Sequence, residues 1–518
     1  MDRMTWSQVS VREGPMPSSY LAPGVYMEEV SSGSRPIEAV GTAVAAFVGF
    51  AEQGPVNEPV LVTSWTQFKR AFGDFVDGYY LAHAVYGYFL NGGGTAYVVR
   101  VGGASGGDGA APVAELPSSV DGRAALTVSA KRAESGISVE VQPAGEPTDD
   151  TFKLVVKRAG QPVETFDNVT TKRGANNVVT VVRAQSELIT VEDTKGGRVV
   201  AVPQIGEVAL PAGGAEVVSA GDYVGNSADR TGFGGLEAID NVTMLAVPDL
   251  MAAYQHGKIS LDDVKAVQLA MIAHCELMSD RVAILDTPPG LNAQRVKEWR
   301  MDFTGYDSKY AAMYWPWVKV ADPVAGKQVF VPPSGHMAGI WARNDSTRGV
   351  HKAPANEVVR GAVTLELNIT KGEHDTLNPV SVNCIRSFPG QGIRVWGART
   401  LSSDPEWRYL NVRRLFNYVE KSILQGTNWV VFEPNDPKLW DSVKRTITMF
   451  LRRVWRDGAL FGRTPAEAFF VKCDEENNPP ENRDAGILTV ELGIAPVKPA
   501  EFVVFRISQF SEGASLEE

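Results

Sequence analysis

Short apolar runs and amphipathic stretches alternate along much of the chain, and their periods separate strands from helices. TAVAAFVGF (Thr42 to Phe50) is an apolar run bounded by turn signals and predicts a buried strand. Ser64 is placed to cap a helix over WTQFKRAF, which stops at Gly73. A second helix, YYLAHAVYGYFL, ends at NGGG, and AYVVRV follows as a strand. The same texture returns at NVTMLAVPDL. Ser260, with Asp263 three residues on, opens a capping-box helix whose apolar positions recur at Leu261, Val264, Val267, Leu269, Met271 and Ile272. The strand RVAILD, the helix NAQRVKEWRMDF and one continuous strand, YAAMYWPWVKV, come next. Strands alternating with helices predict parallel pairing through right-handed crossovers.

Between these two regions the period changes. From about residue 110 to 229, β-branched runs alternate with turn residues, FKLVVKRAGQPVETF reads as a hairpin with AGQP near its tip, and helix signals are almost absent. This segment reads as an inserted all-β domain. Near the C-terminus, Leu439, Val443, Ile447, Phe450 and Val454 form one apolar helical stripe. Lys438, Arg445, Arg452 and Arg456 fall on the opposite side of the same helix with no carboxylate among them. Both ends carry strand-forming runs, GVYMEEV and EFVVFRI. The second is apolar on both alternating faces, so it needs cover on both sides.

The resulting organisation is an arm at 1–35, an α/β core in two parts (36–105 and 235–372), the insertion at 106–234, a C-terminal domain at 373–498 and a second arm at 499–518. SSGSRP (Ser31 to Pro36) and APVKPA (Ala495 to Ala500) read as linkers beside the arms.

The 518 residues are 44% hydrophobic and 21% charged, which fits a globular chain with substantial cores. A formal net charge of −11 argues against a general nucleic-acid binder. No apolar run approaches the roughly 18 residues of a membrane span, and the first 20 residues lack the apolar segment of a signal peptide. The expectation is a protein made in the cytoplasm without membrane anchoring. Cys275, Cys384 and Cys473 are widely spaced and read as reduced and structural.

Candidate chemistry is sparse. Gly103 to Gly107 matches GxSxG in form, but a glycine-rich linker follows where a nucleophile elbow needs a helix. Asp249 and Asp286 follow predicted parallel strands, where α/β enzymes place functional groups. Loop and capping roles explain them equally well. The six histidines show no metal-ligand spacing, and no P-loop occurs. No catalytic residue, cofactor site or metal site is assigned. An α/β hydrolase-like enzyme using Asp249 or Asp286, and a static tube or shell protein, are the alternatives.

Several stretches together carry a family resemblance: YLAPGVYMEEV, TAVAAFVGFAEQGPVNEPVLVTSWTQFKRAFG, NGGGTAYVVRV, VPPSGHMAGIWARNDSTRGVHKAPAN and NPVSVNCIRSFPGQGIRVWGARTL. They resemble the contractile tail sheath family of phage tails, R-type pyocins and phage-tail-like injection systems, over nearly the whole chain outside the insertion. The resemblance implies a subtilisin-like parallel α/β core without protease activity, and an α+β C-terminal domain carrying exchanged terminal strands. Its exchanged residues would be Val25, Tyr26, Met27 and Val30 at one end and Phe502, Val503, Val504, Phe505 and Ile507 at the other.

The implied partners are further copies of the chain in stacked six-fold rings, an inner tube protein, and baseplate and terminal cap proteins. No nucleic acid is implied. The product is a particle or virion tail assembled in the producing bacterium. The basic stripe is the candidate tube contact. Contraction from a metastable extended packing would drive the tube through a target envelope.

Overall fold

The computed structural model describes residues 36–102, 113–118, 124–130, 137–146, 148, 150–158, 161–172, 174–186, 188–193, 202–210, 219–322, 324 and 326–506. Val25, Tyr26, Met27, Val30, Ile507 and the GxSxG match lie outside these residues.

The chain opens with β1 (Val44–Gly49), β2 (Val60–Val62), α1 (Trp65–Phe72), α2 (Leu81–Leu90) and β3 (Thr95–Arg100). The Ser64 side chain accepts from the Gln67 N–H, as its position predicts. The insertion comprises β4 (Val113–Pro117), β5 (Ala124–Ala130), β6 (Ile137–Pro143), β7 (Thr151–Arg158), β8 (Gln161–Thr170), α3 (Val178–Gln185), β9 (Ile189–Asp193) and β10 (Gly206–Ala209). They form two antiparallel sheets, ordered β4-β5-β9 and β10-β6-β7-β8, over a shared core that includes Leu126, Val139, Leu154 and Val182. The hairpin read at FKLVVKRAGQPVETF is the β7–β8 pair.

The helix α3 is a departure. VVTVVRAQ is rich in β-branched residues, yet Asn177 caps it through the Thr180 N–H at 3.2 Å, and Val178 and Val182 are buried. Tertiary burial and a good cap outweigh a modest β preference here.

After the insertion come α4 (Ala220–Val224), β11 (Met244–Ala246), α5 (Asp249–Gln255), α6 (Leu261–Met278), β12 (Val282–Asp286) and α7 (Ala293–Glu298). These are followed by β13 (Ala311–Trp315), β14 (Val318–Ala321), β15 (Gln328–Val331), α8 (Ser334–Arg348), β16 (Glu357–Val358) and β17 (Ala362–Leu365). Then come α9 (Lys371–Leu377), β18 (Val382–Phe388), β19 (Gly392–Val395), α10 (Leu410–Gly426), α11 (Pro437–Arg456), β20 (Phe469–Lys472) and β21 (Glu491–Ile494).

A nine-stranded sheet, ordered β16-β19-β18-β13-β12-β11-β1-β3-β2, dominates this body. Its six central strands, β18 to β3, are parallel; β19 pairs antiparallel with β18, β16 antiparallel with β19, and β2 antiparallel with β3, so β16 and β2 are the edges. Both faces are covered, which is why β12 and β13 are buried at every position. Alternate residues supply two cores. Phe47, Ala246 and Tyr314 face α1, α2 and α8, whereas Val48, Leu245 and Met313 face α5 and α6. On α8, Gly335 and Gly339 lie so close to Ala84 and Tyr88 of α2 that an added Cβ would come within 2.4 Å of backbone atoms.

Two expectations shift. YAAMYWPWVKV is two strands, because Pro316 has no N–H for a continuing ladder; β14 leaves the large sheet to pair with β15 and β17. The predicted helix at NAQRVKEWRMDF is α-helical only to Glu298 and continues as a π turn, Trp299–Thr304. Near the expected boundaries, Tyr223 of α4 is buried among residues of the α/β core and donates its hydroxyl to the Asp249 carbonyl at 2.9 Å, and β18 and β19 belong to the large sheet.

Candidate functional site

The basic stripe depends on the packing of α10 and α11. Asp436 caps α11 through the Leu439 N–H at 2.8 Å, and Pro437 occupies the first turn, where its missing N–H costs nothing. Leu439, Val443, Ile447, Phe450 and Val454 are all buried with Leu415 and Val419 of α10. Ile37 closes this core from the other end of the chain, and its carbonyl accepts from Arg453 at 2.9 Å. With that face filled, Lys438, Arg445, Arg452 and Arg456 are all exposed. None of them forms an ion pair among the described residues.

The loop before α11 presents a feature the sequence did not signal. Phe432 is fully exposed and holds a left-handed backbone with φ 69°. Val431 beside it is also exposed. Both the burial and the conformation run against what a phenylalanine prefers.

β20 and β21 form a two-stranded antiparallel sheet packed on α11. Phe469, Val471 and Ile494 turn toward the core, while the Phe470 ring lies across Gly493 on the outer face. Among the described residues neither strand pairs with a third, although Leu460 bridges Pro496 just beyond β21.

The segment after β21 is held to its own body. Ala495 exchanges backbone hydrogen bonds with Ala468 and Phe461, each 2.8 Å, and the Val497 N–H reaches the Ala459 carbonyl at 3.2 Å. Asn411 donates to the Val497 carbonyl at 3.0 Å. The linker expected over Ala495 to Ala500 is therefore pinned at these points. Glu501 then meets Arg399 in a two-pronged ion pair, Nε to Oε1 at 2.8 Å and Nη2 to Oε2 at 2.6 Å. Asn378 and Tyr409 donate to the same carboxylate at 2.9 and 3.2 Å. Burial works against the Glu501 charge, but these donors and the guanidinium hold its carboxyl below the usual range.

Immediately beyond, Phe502, Val503, Val504 and Phe505 are 74%, 67%, 77% and 84% exposed and pair with no strand among the described residues. Among the described residues Glu501 to Arg506 form no strand.

The two aspartates are bonded as caps. Asp249 accepts from the N–H groups of Phe50 at 2.6 Å, Leu81 at 3.1 Å and Tyr80, and so holds the start of α2. Asp286 accepts the Ser334 N–H at 2.9 Å at the start of α8. Burial pushes both carboxyls up to about 7, against the pull of those donors. Cys275, Cys384 and Cys473 are buried free thiols. Among the described residues no cluster of three or more histidine, cysteine or acidic side chains is arranged to hold a metal, and no helix is long and apolar enough to cross a membrane.

Residues 236–401 match the phage tail sheath protein central domain, and residues 402–510 match the phage tail sheath C-terminal domain. Together these cover more than half of the chain. The tail sheath protein of Burkholderia phage BcepMu is 26% identical over 523 aligned residues, covering 96% of this chain and 98% of that one. The fold is shared with the PVC sheath complex of an extracellular contractile injection system in its contracted state, with TM-score 0.58 and 23% identity over 95% of this chain and 98% of that one. It is shared equally with the contracted helical sheath of the anti-feeding prophage, with TM-score 0.57 and 23% identity over 94% and 99%.

Proposed function

The chain belongs to the phage tail sheath family, and from this premise we propose that it is the structural subunit of a contractile sheath. Copies polymerise helically around an inner tube and pass from a metastable extended packing to a more stable contracted one, driving the tube through a target envelope. The observation that carries this reading is the match to sheath sequences along both the core and the C-terminal domain. The central parallel sheet is read as subtilisin-like in architecture.

Subunits are linked by exchange of terminal strands. This is supported by the four consecutive apolar residues Phe502–Phe505, which lie uncovered, and by a β20–β21 sheet that gains no third strand among the described residues. An extended segment of this kind gains main-chain hydrogen bonds and apolar cover by adding to a neighbour's sheet. The N-terminal residues Val25, Tyr26, Met27 and Val30, and Ile507, are assigned the same role from the sequence. A head-to-tail contact that does not close generates a helical polymer. Bistable packing of the bodies around persistent strand links then permits two lengths.

The exposed stripe of Lys438, Arg445, Arg452 and Arg456 is assigned to the inner tube, with Phe432 on the loop leading into α11 as an apolar contact nearby. Baseplate and terminal cap proteins complete the partners, the rings are six-fold, and assembly takes place in the producing cell.

The test is truncation. Chains lacking residues 1–30, or ending at Glu501, remain folded by circular dichroism and sedimentation but form no long polymers under the electron microscope. Normal polymers from both truncations refute arm exchange. Two sheath lengths in wild-type particles separate a contractile sheath from a static tube.

A further inference from the structure

Among the described residues of the C-terminal segment, Glu501 is the last that hydrogen-bonds to the rest of the chain. Upstream, Ala495 and Val497 are tied by backbone hydrogen bonds to Ala468 and Ala459. Glu501 is tied by a bidentate pair to Arg399 and by Asn378 and Tyr409. These three partners come from separate places: the end of α9, the turn after β19 and the start of α10. Arg399 is itself buried and fixed, its N–H donating to the Asn383 side chain at 2.7 Å and its Nη1 to the Asn378 carbonyl at 2.9 Å. One residue later, every side chain from Phe502 to Arg506 is exposed. Lys498 and Ala500 are exposed as well, so Glu501 is a separate anchor point with uncovered chain directly after it.

We propose that Glu501 is a positioning residue that sets the reach and exit point of the C-terminal arm toward a second copy of this chain. The inference rests on the arm-exchange reading above and specifies its tether. While the carboxylate is held, the free arm begins at Phe502. When it is released, residues 498–501 join the arm and add about 13 Å of extended chain. A tether of that added length relaxes the distance and orientation a linked neighbour adopts. A fixed root keeps the spacing between linked bodies uniform. The bidentate geometry suits this role, because the planar guanidinium fork fixes direction as well as distance.

The experiment uses the full-length protein with Glu501→Gln, Arg399→Lys, and the exchanged pair Arg399→Glu with Glu501→Arg. In unassembled protein, hydrogen exchange at the Val497 amide becomes about tenfold faster in Glu501→Gln, the size expected for losing a charge-assisted contact next to a marginal backbone bond. In polymers imaged by electron microscopy, the axial repeat of Glu501→Gln and Arg399→Lys shifts to longer and more variable values, and the exchanged pair moves it back. Unchanged exchange at Val497 overturns the inference. So does faster exchange with an unchanged repeat, since the contact then only stabilises the fold. Loss of polymers on truncation after Glu501, with an unaltered Glu501→Gln repeat, leaves arm exchange standing and removes the latch. Normal polymers from the truncated chain remove both.

Discussion

Asp249 and Asp286 stand where a parallel sheet offers side chains to a ligand, and here the backbone occupies both. Asp249 carries the N–H groups of two chain segments at once, and Gly49 is needed beside it because an added Cβ would lie 2.5 Å from its Oδ2. Asp286 gives a prediction with a definite sign. Its folded pKa, about 7, lies above the ordinary 3.8, so the folded state binds a proton that the unfolded chain does not. Its contribution to folding therefore grows as pH falls from about 7 toward 3.8. Asp286→Asn keeps an acceptor for Ser334 but cannot titrate. Urea unfolding at several pH values should show wild type gaining stability relative to the variant as pH falls; a constant difference contradicts the assignment. Spacing placed both aspartates at strand ends, but what they bond depended on chain 199 and 48 residues away.

At the level of elements, the helix α10 joins the C-terminal body to the α/β core through a buried pair. Arg414 meets Asp345 of α8 at 2.9 and 2.5 Å, both side chains are nearly inaccessible, and Thr42 bonds the same carboxylate at 2.6 Å. Removing one partner leaves a buried charge alone, which costs about 3–5 kcal/mol. Asp345→Ala should lose that much in denaturant titration, and a loss below about 1 kcal/mol would mean the pair is hydrated and weak. This joint was not legible beforehand, because its residues lie 69 positions apart and neither breaks a helical pattern. The apolar stripe of α11 was legible, since residues three and four apart share a face whatever the surroundings. The helix α3 and the break at Pro316 went the other way: local preference pointed to strand, and burial or a missing donor decided otherwise.

For the whole molecule, the packed α/β core lies inside, and the basic stripe and the apolar run Phe502–Phe505 lie exposed. The basic stripe of α11 lies outside every packed contact, so Arg445→Glu with Arg452→Glu should leave thermal unfolding unchanged. If the stripe meets an acidic tube, the double variant binds tubes more weakly in a co-sedimentation assay, and the deficit is larger at low salt, where screening is least. Equal binding at low salt returns the stripe to an ordinary solvated face.

The sequence by itself determined what depends on neighbours along the chain: the strand and helix periods, the caps at Ser64 and Ser260, the β-rich texture of the insertion, the two faces of α11 and the apolar run near the C-terminus. Tertiary structure alone decided what depends on distant partners. It turned two aspartates into caps, drew β18 and β19 into the large sheet, and pinned the expected linker through Arg399 and Glu501, which are 102 residues apart. The division follows from range: periodicity and capping act within a turn or two of chain, whereas a buried carboxylate or a tether point exists only once folding has brought remote donors within hydrogen-bond distance.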